Sequence, residues 1–403
     1  MAIIAPFHGI HYPPSRELAG LLAPPYDIIN DREHKRLCMR HHHNIIHLTL
    51  GAPGRRRAYR QIGQRLRRWL HEGVLTQDQE LCLYAYSQEY VHEGHVLEFW
   101  GILGLLHLEP FRAGKIFPHE AVNAGPVEDR LKILEGTRAN LEPIIALYRA
   151  PADPISLLFE SLEALPPALT TSYPNAMAGS EGSRHRIWKL SSGRTRARIQ
   201  RALKRFPLFI ADGHHRYHAS WLFRQRHHRL RGAHWMMALI ANMDQKGLII
   251  LPYHRTATCS ISLTTQLPAS CERFGRVERL GKNPSQALTH PGRNTLGFYA
   301  KHAGAWLLHL PPPPQTVTPR DALEVARLHE ILPQMARITD LAFVKDPAEA
   351  IQASRGSPAT LACFLPPPSA SAITDIAFSG EILPQKSTFF LPKPLSGLIL
   401  RSL

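Results

Sequence analysis

The run Asp212-Gly213-His214-His215-Arg216 places an acid, a glycine and three basic side chains in a row. The apolar residues 208–211 precede it and a helical pattern follows, so we predict a strand, a turn and a helix. A helix N-terminus offers unpaired backbone N–H groups to an anion, and glycine lets the anion approach the backbone. The turn therefore suits a phosphate, with Gly213, His214, His215 and Arg216 as its ligands.

Two side chains of this turn could act directly on a bound group. Arg216 can bind phosphate oxygens in a bidentate manner, and Asp212 can hold a metal ion or accept a proton from a hydroxyl. Two other interpretations stay open. Gly213 could only turn the chain between surface residues, or His214 and His218, on one helical face, could bind a metal with Asp212.

Two further sites contain histidine. His254 and Arg255 follow the apolar run 248–251 and a proline, and this strand end is a place where sites in α/β folds collect. A structural salt bridge explains that pair equally well. The tract His41-His42-His43 looks like a metal-binding sequence, but consecutive residues of a regular element cannot all face one ion. We interpret the tract as a solvated turn.

A segment near the C-terminus combines two lysines with two hydroxyl side chains. We predict an exposed loop whose composition suits phosphate or carboxylate binding, and a plain basic loop is the alternative. The residues are Lys386, Ser387, Thr388 and Lys393.

The elements that must position these residues are of a mixed α/β kind. Helical spacing of apolar residues and strand-like runs alternate along the chain. The stretch 117–130 is polar, and we expect it to be exposed. Helices are predicted at 56–72, 131–134, 195–205, 215–228 and 321–332 and from Asp346 onward, and strands at 81–86, 99–108, 144–148, 186–190, 208–211, 235–241, 248–251 and 360–365.

Prolines and glycines suggest where the chain divides. They concentrate between residues 151 and 183, and a run of four prolines stands at 311–314. We predict an N-terminal α/β lobe at 1–150, a connector at 151–185, a phosphate-binding lobe at 186–310 and a C-terminal α/β segment at 311–403.

The composition is that of a folded protein with a basic surface. The chain has 403 residues, 44% of them hydrophobic, and a formal net charge of +16, which attracts phosphorylated ligands and polyanions. The basic runs lack the aromatic interleaving of single-strand binders, so they fit solvated helix faces better than a nucleic-acid surface. Five cysteines without a Cys-x-x-Cys pair argue against a disulfide framework or a structural zinc site.

The sequence also bears on location. The first residues lack a basic region followed by an apolar run, and no apolar stretch reaches the length of a membrane span. We therefore expect a cytoplasmic protein without a membrane partner.

Several motifs together resemble a bacterial family catalogued as domain of unknown function 1015. Their order and spacing match over nearly the whole chain, and the family has no settled activity. The motifs are Ala23-Pro24-Pro25-Tyr26-Asp27, Pro118-His119-Glu120, Asp129-Arg130-Leu131, the run 211–217, Leu251-Pro252-Tyr253-His254-Arg255 and the run 383–393. Taken without the family, the first of these motifs is most simply a packed turn, and Tyr26 and Asp27 could also line the pocket.

The strand and turn around Asp212 are also similar, over residues 186–260, to the ParB and sulfiredoxin-like superfamily. That superfamily includes chromosome-partitioning proteins and a nucleotide-dependent free-serine kinase. The resemblance implies a ParB-like core with additional N- and C-terminal lobes, and phosphates bound at 212–216. Because the kinase takes its general base from an earlier segment, Glu120 is the candidate base here.

The leading hypothesis is an enzyme that transfers a phosphoryl group between a nucleotide and a small hydroxyl compound. Asp212 or Glu120 would be the base or a metal ligand, and Mg²⁺ with ADP or ATP would be the cofactors. The rival is a non-catalytic protein that responds to nucleotides or associates with nucleic acid; nucleic acid is the less favoured partner. The sequence leaves the acceptor, the metal ligands and the oligomeric state open.

Overall fold

The structure, a computed structural model, is a mixed α/β fold, as the sequence predicts. Two units are distinguished by their internal contacts. Unit 1 consists of Met1–Pro118, Val122–Ile249 and Pro392–Leu403, and unit 2 of His119–Ala121 and Ile250–Leu391. The residues described are 2–14, 17–50, 56–111, 115–174, 182–260, 265–281 and 286–403.

The helices of the described residues are mostly short and amphipathic. Predicted helices around 56–72, 195–205, 215–228 and 321–332 are present. The α-helices are α1 (Asp31–Arg40), α2 (Ile46–Thr49), α3 (Arg56–His71), α4 (Ala124–Thr137), α5 (Ser156–Glu163), α6 (Gly193–Lys204), α7 (His214–Arg226), α8 (Leu267–Ser270), α9 (Gln286–Thr289), α10 (Glu324–Met335), α11 (Pro347–Gly356) and α12 (Ala370–Ser379).

The strands include every one predicted from the sequence, together with short ones that it did not reveal. They are β1 (Ile4–Ala5), β2 (Gly9–His11), β3 (Thr76–Gln77), β4 (Leu83–His92), β5 (His95–His107), β6 (Ile116–Pro118), β7 (Ala139–Asn140), β8 (Ile144–Tyr148), β9 (Leu169–Tyr173), β10 (Ser183–Leu190), β11 (Leu208–Asp212), β12 (Trp235–Asn242), β13 (Ile249–Leu251), β14 (His254–Cys259), β15 (Arg276–Gly281), β16 (Thr295–Ala300), β17 (Gly304–His309), β18 (Ile338–Val344), β19 (Thr360–Phe364), β20 (Phe389–Leu391) and β21 (Leu400–Ser402).

A nine-stranded sheet forms the centre of unit 1. Its order is β6-β11-β8-β12-β5-β4-β10-β9, with β1 paired to β5. All five residues of β8 are buried, as expected for a central strand covered on both faces. The strands predicted at 81–86 and 99–108 are β4 and β5, which form a hairpin. Its two-residue loop has positive φ at Glu93 and Gly94, and this conformation matches the twist of the strands.

A six-stranded sheet with the order β15-β17-β16-β19-β14-β18 forms the centre of unit 2. Alternate residues of β19 face its two sides. Leu361 and Cys363 pack in a core with α10 and α12, whereas Ala362 and Phe364 pack in another with α11. This two-residue period is the reason the strand is apolar throughout. The helix predicted from Asp346 onward is α11, and the Asp346 side chain caps it by accepting a hydrogen bond from the Ala348 N–H.

The predicted exposure of the stretch 117–130 is wrong at three residues. His119, Val127 and Arg130 are buried. The helix predicted at 131–134 begins seven residues earlier, as α4. The charges are tolerated inside because Arg130 binds the Asp129 carboxylate and the Thr49 carbonyl oxygen, the latter at 2.9 Å, and a buried charge needs such partners.

The predicted connector, 151–185, contains α5 and β9 in its described part. Both β9 and β10 belong to the nine-stranded sheet. The predicted lobe boundaries at 150, 185 and 310 stay predictions. Among the described residues, no helix combines the length and the apolar character that a membrane crossing requires.

Candidate functional site

The turn between β11 and α7 has the geometry expected from the sequence. Gly213 has φ 90° and ψ 28°, in the left-handed region, and precedes the first residue of α7. The Tyr217 N–H donates to the Gly213 carbonyl oxygen at 2.9 Å. This is the first hydrogen bond of α7, so the turn carries the N-terminal end of the helix dipole.

Glycine is required at this turn for steric reasons as well. A Cβ at position 213 would lie 2.7 Å from Ile144 Cγ2 and 2.9 Å from Arg216 Nε. Side chains rarely adopt the backbone conformation of Gly213, and here the space is also filled. The turn thus holds the Arg216 guanidinium directly against the backbone.

Asp212, the last residue of β11, is held by two cations. Lys393 Nζ donates to Asp212 Oδ1, and Arg216 Nη2 donates to Asp212 Oδ2. The Lys393 side chain is only 4% exposed and that of Asp212 14%. Both oxygens of the carboxylate are thus bound by positive groups, which favours its ionised form.

Lys393 also contacts a second carboxylate. Its Nζ lies 3.5 Å from Asp27 Oδ2, and the Asp27 side chain is 23% exposed. An ammonium has three donors and a charge that two carboxylates can share. Lys393 therefore connects the Asp27 loop, which follows the Ala-Pro-Pro-Tyr motif, with the end of β11.

Arg216 is buried and oriented by several acceptors. Its Nη1 donates to the Pro143 carbonyl oxygen at 2.6 Å and lies 3.6 Å from Glu142 Oε2. Burial alone would lower the pKa of Arg216, but the Asp212 and Glu142 carboxylates raise it above its ordinary value. Its Nε is buried and finds no hydrogen-bond partner among the described residues.

Glu142 completes this cluster, which contains three carboxylates. Its Oε1 accepts the Tyr26 N–H at 3.2 Å and the Ser396 hydroxyl. Asp27, Asp212 and Glu142 thus face two cations, Lys393 and Arg216. The cluster carries more acid than base, which suits a further cation or a donor from a ligand.

Tyr26 is packed beside the same cluster. The Arg130 guanidinium lies 3.7 Å from the centre of the Tyr26 ring, and that of Arg216 lies 5.8 Å from it. Burial raises the pKa of Tyr26 to about 12, so its hydroxyl is neutral at ordinary pH. The ring shields one side of Arg216 from water and strengthens its charge interactions.

The two histidines of the turn differ in environment. His214 is buried. His215 is partly exposed, and its Nε2 accepts the Asn123 N–H at 3.1 Å. Asn123 is the residue before α4, so His215 ties the start of that helix to the turn. Their predicted contact with phosphate stays a proposal.

The metal interpretation of the turn is not supported by the ligand geometry. Among the described residues, only one group of three histidine, cysteine or acidic side chains has ligand atoms close enough to share an ion. That group is His41, His42 and His43, and Asp212 with His214 and His218 is not one. The predicted turn is present at this tract, which follows the end of α1 and has its middle residue, His42, exposed; the argument about residues of a regular element therefore does not apply to it.

Several predicted residues lie in unit 2. Glu120 Oε1 accepts the Lys386 N–H at 2.7 Å, and Lys386 has φ 54°. The Ser387 hydroxyl donates to the Pro384 carbonyl oxygen at 2.5 Å. Thr388 Oγ1 is 2.8 Å from His119 Nε2. The structure thus brings the predicted base, Glu120, together with the predicted lysine loop.

Arg255 and His254 are both buried at the start of β14. Arg255 Nη1 donates to the Tyr253 carbonyl oxygen at 2.7 Å and Nη2 to the Gln385 carbonyl oxygen at 3.2 Å. Burial lowers its pKa to about 10 and that of His254 to about 4. His254 Nδ1 accepts the Leu365 N–H at 3.3 Å.

The prediction that the lysine segment is an exposed loop is wrong in most of its residues. Ser387, Thr388 and Lys393 are buried, and only Lys386 is partly exposed. The chain also divides within the segment, because Lys386 belongs to unit 2 and Lys393 to unit 1. A lysine buried this far needs a carboxylate partner, and Asp212 provides it.

The sequence missed Glu142. It stands before a proline and the five apolar residues of β8, and Asp212 pairs in register with Ile145 of that strand. An acid directly before a buried strand can indicate a site residue. The sequence does not show that this strand lies beside β11, so the acid could not be linked to Asp212.

Comparisons with known proteins place the chain in a family without a known activity. The family described as "Protein of unknown function (DUF1015)" matches residues 4–329. The match ends before Lys386 and Lys393. No curated protein matches the sequence.

Solved structures that resemble the chain do so weakly. A mutant free serine kinase in complex with AMP has 10% identity and a TM-score of 0.36, covering 69% of this chain and 84% of its own. A conserved hypothetical protein from Pyrococcus furiosus has 11% identity and a TM-score of 0.36, covering 71% and 90%. SbnI with a C-terminal truncation, from Staphylococcus aureus, has 12% identity and a TM-score of 0.37, covering 73% and 85%. Likeness at this level does not carry an activity across.

Proposed function

The chain belongs to the DUF1015 family, and on that premise we propose that it binds a nucleotide at the turn between β11 and α7 and transfers a phosphoryl group to a small hydroxyl compound. The observation that carries this proposal is the arrangement of Asp212, which is fixed between Lys393 and Arg216 beside the start of α7. Phosphoryl transfer depends mainly on positioning and on neutralising charge, and this arrangement offers both.

The proposed roles follow from the contacts. The first N–H groups of α7 and the glycine turn hold a phosphate. Lys393 neutralises charge that develops on it, and Asp212, kept ionised by its two cations, accepts the proton of the hydroxyl group. His214 and His215 are proposed to line the phosphate position.

Arg216 has a different proposed role from the one the sequence suggested. Its terminal nitrogens are engaged by Asp212 and the Pro143 carbonyl oxygen, so direct phosphate binding would cost those bonds. We assign it the positioning of Asp212. A guanidinium that fixes the orientation of a carboxylate contributes to rate through preorganisation.

Mg²⁺ fits the donor set of the site. Asp27 and Asp212 supply the hard carboxylate oxygens that Mg²⁺ prefers, and the cluster has an excess of acidic groups over cations. Asp27 is the more exposed of the two, so it is the better candidate to hold the ion. When bound, Mg²⁺ would neutralise phosphate charge.

The residues of unit 2 enter the proposal separately. Glu120 is proposed as an alternative base. His254, Arg255, Lys386, Ser387 and Thr388 are proposed as phosphate-binding residues on the strength of the sequence motifs.

The first experiment is thermal unfolding with ADP, ATP, CTP and GTP, each with and without Mg²⁺. A ligand that binds the native state raises its Tm, so we expect a rise with one nucleotide. Formation of phosphorylated product is then measured over a panel of hydroxyl compounds. Asp212→Asn should lower kcat by roughly 10² to 10⁴, the usual contribution of a general base, with a much smaller change in nucleotide affinity.

The matched control is Asp321→Asn, which changes an acid of unit 2 whose side chain is 39% exposed and pairs with Arg320, and which should leave kcat as it is. If no nucleotide changes the Tm, the proposal fails. Binding without turnover over the whole panel would favour the non-catalytic alternative, a protein that responds to nucleotides. Salt-sensitive binding of DNA would favour its nucleic-acid form.

A further inference from the structure

A histidine cluster lies in unit 1 at the end of α1, and it is independent of the proposed phosphate site. We propose that His41, His42 and His43 form a site for a transition-metal ion of the Zn²⁺ class. Their ligand atoms all lie within 4.8 Å of one another. Imidazole nitrogen is a preferred donor for Zn²⁺, Ni²⁺ and Cu²⁺.

The backbone explains how three consecutive histidines can converge. The helix ends at Arg40, and His41 is extended with φ −161° and ψ 137°. A turn follows at His42 and His43. The ring centres lie 4.5 Å apart for His41 and His42 and 4.0 Å apart for His42 and His43.

The separation of the nitrogens is close to what an ion needs. With metal–nitrogen bonds of about 2.1 Å, two ligands of a tetrahedral centre are about 3.4 Å apart. The nitrogens lie within 4.8 Å of one another, so the longest separation must shorten by at most about 1.4 Å. Rotation of the exposed His42 side chain and of the partly exposed His41 and His43 side chains allows this. His41 Nδ1 now accepts the His43 N–H at 2.9 Å, so binding through that nitrogen gives up this bond.

Other side chains around the cluster support the same chemistry. Cys38, His41, His42 and His47 line one surface pocket. His47 Nε2 is buried and has no hydrogen-bond partner among the described residues. The ligating group is that of His41, His42 and His43, and His47 and Cys38 make the wall of the neighbouring pocket rich in metal-binding side-chain types.

Two arginines in the same pocket restrict the kind of ion. Arg40 and Arg65 also line this pocket. Their positive charge repels a metal ion that would bind through electrostatic attraction alone. Mg²⁺ and Ca²⁺ need several carboxylate or carbonyl oxygens, whereas nitrogen ligands bind borderline metals through directed bonds. The site is therefore expected to select Zn²⁺, Ni²⁺ and Cu²⁺ over Mg²⁺ and Ca²⁺.

Trp69 provides a built-in reporter of binding. Its ring meets His43 edge to face, with the centres 5.4 Å apart, and it is buried in α3. Cu²⁺ at the cluster should quench the fluorescence of Trp69. In Trp69→Phe, the same Cu²⁺ titration should show a smaller loss of fluorescence, which identifies Trp69 as the quenched residue.

The test uses full-length protein purified without a histidine tag and treated with a chelator. Calorimetric titration with Zn²⁺ should give one site per chain. His42→Ala removes an exposed ligand and should weaken Zn²⁺ binding by at least the roughly 10- to 100-fold seen when metal-supporting side chains are lost. Titrations with Mg²⁺ and Ca²⁺ should show no binding at this cluster.

The matched control is His228→Ala, which removes another exposed histidine, just after α7, and should leave Zn²⁺ affinity unchanged. Far-UV circular dichroism checks that each variant is folded. The proposal is overturned if Zn²⁺ affinity is the same in wild type and His42→Ala, or if both variants lose it equally. It is also overturned if inorganic phosphate binds at the cluster and Zn²⁺ does not, since the arginines would then define an anion site.

Discussion

Lys393 donates a hydrogen bond to Asp212 although 181 residues of chain separate the two. The bond joins the C-terminal segment of unit 1 to the end of β11, and the same ammonium contacts Asp27 near the N-terminus. The charge cluster therefore draws on four distant parts of the sequence, which supply Asp27, Glu142, the pair Asp212 and Arg216, and Lys393.

Replacing Lys393 by alanine should destabilise the protein strongly. The change leaves Asp212 and Asp27 without their shared cation in a largely buried place, and removing one partner of a buried ion pair costs about 3 to 5 kcal/mol. Urea unfolding measures the loss. Lys132→Ala is the control, because the side chains of Lys132 and its partner Glu128 are 39% and 66% exposed; exposed pairs contribute about 0 to 1 kcal/mol. Equal effects of the two changes would show that the Lys393 pair is not buried in solution.

Gly213→Ala should lower both stability and nucleotide binding. The new Cβ would meet Ile144 and Arg216, and the positive φ adds strain of about 1 to 3 kcal/mol. Gly125→Ala is the matched change, because Gly125 lies in the first turn of α4 with open space around its Cα; a helical glycine replaced by alanine gains about 0.5 to 1 kcal/mol. A Gly213→Ala variant as stable as Gly125→Ala would contradict the geometry of the turn.

The stability of unit 1 should fall as the pH drops below about 6.5. Burial lowers the pKa of His185 to about 3, while its pKa in the unfolded chain is about 6.5. Between these values the unfolded chain binds a proton that the native state does not, so the free energy of unfolding decreases as the pH falls. The neutral ring is held by the Tyr86 hydroxyl at 2.8 Å and the Ser183 hydroxyl at 2.7 Å.

Urea unfolding at several pH values from 7 to 4 measures this slope. His185→Asn should be less stable than wild type at pH 7 and should show a smaller slope. His228→Ala, which removes an exposed histidine, should keep the wild-type slope. A slope unchanged in His185→Asn would mean that His185 is not the titrating group.

Glu120→Gln tests whether Glu120 is the base without disturbing the fold of unit 2. Glutamine can still accept the Lys386 N–H through its Oε1, so the loop contact at 2.7 Å is retained. If Glu120 is the base, kcat for phosphoryl transfer falls by roughly 10² to 10⁴ and the Tm changes little. Glu128→Gln, which alters an exposed acid paired with Lys132, serves as the comparison. Normal turnover by Glu120→Gln would leave Asp212 as the proposed base.

Local sequence patterns were sufficient for the turn and for most elements. The strand before Asp212, the glycine and the helix after it follow from side-chain type and spacing over about 20 residues. The cap at Asp346 and the hairpin loop at Glu93 and Gly94 are also local features, because residues adjacent in the sequence determine each of them.

Burial of charged groups was not predictable in the same way. Lys393, Arg130 and His119 look like surface residues in the sequence, and each is buried with a partner from another segment. Charge favours exposure unless a distant group compensates it, and the sequence does not identify that group. Glu142 was missed for the same reason, since its importance comes from the order of strands β8 and β11.

The assembly of unit 1 from both ends of the chain determines when it can finish folding during synthesis. Strand β21 lies between β2 and β7 in its sheet, and Lys393 precedes it by only a few residues. At roughly 5 to 20 residues per second, the 181 residues between Asp212 and Lys393 take about 10 to 35 s to translate. During that interval Asp212 has been made without its lysine, so the charge cluster of unit 1 can be completed only after most of unit 2 has been translated.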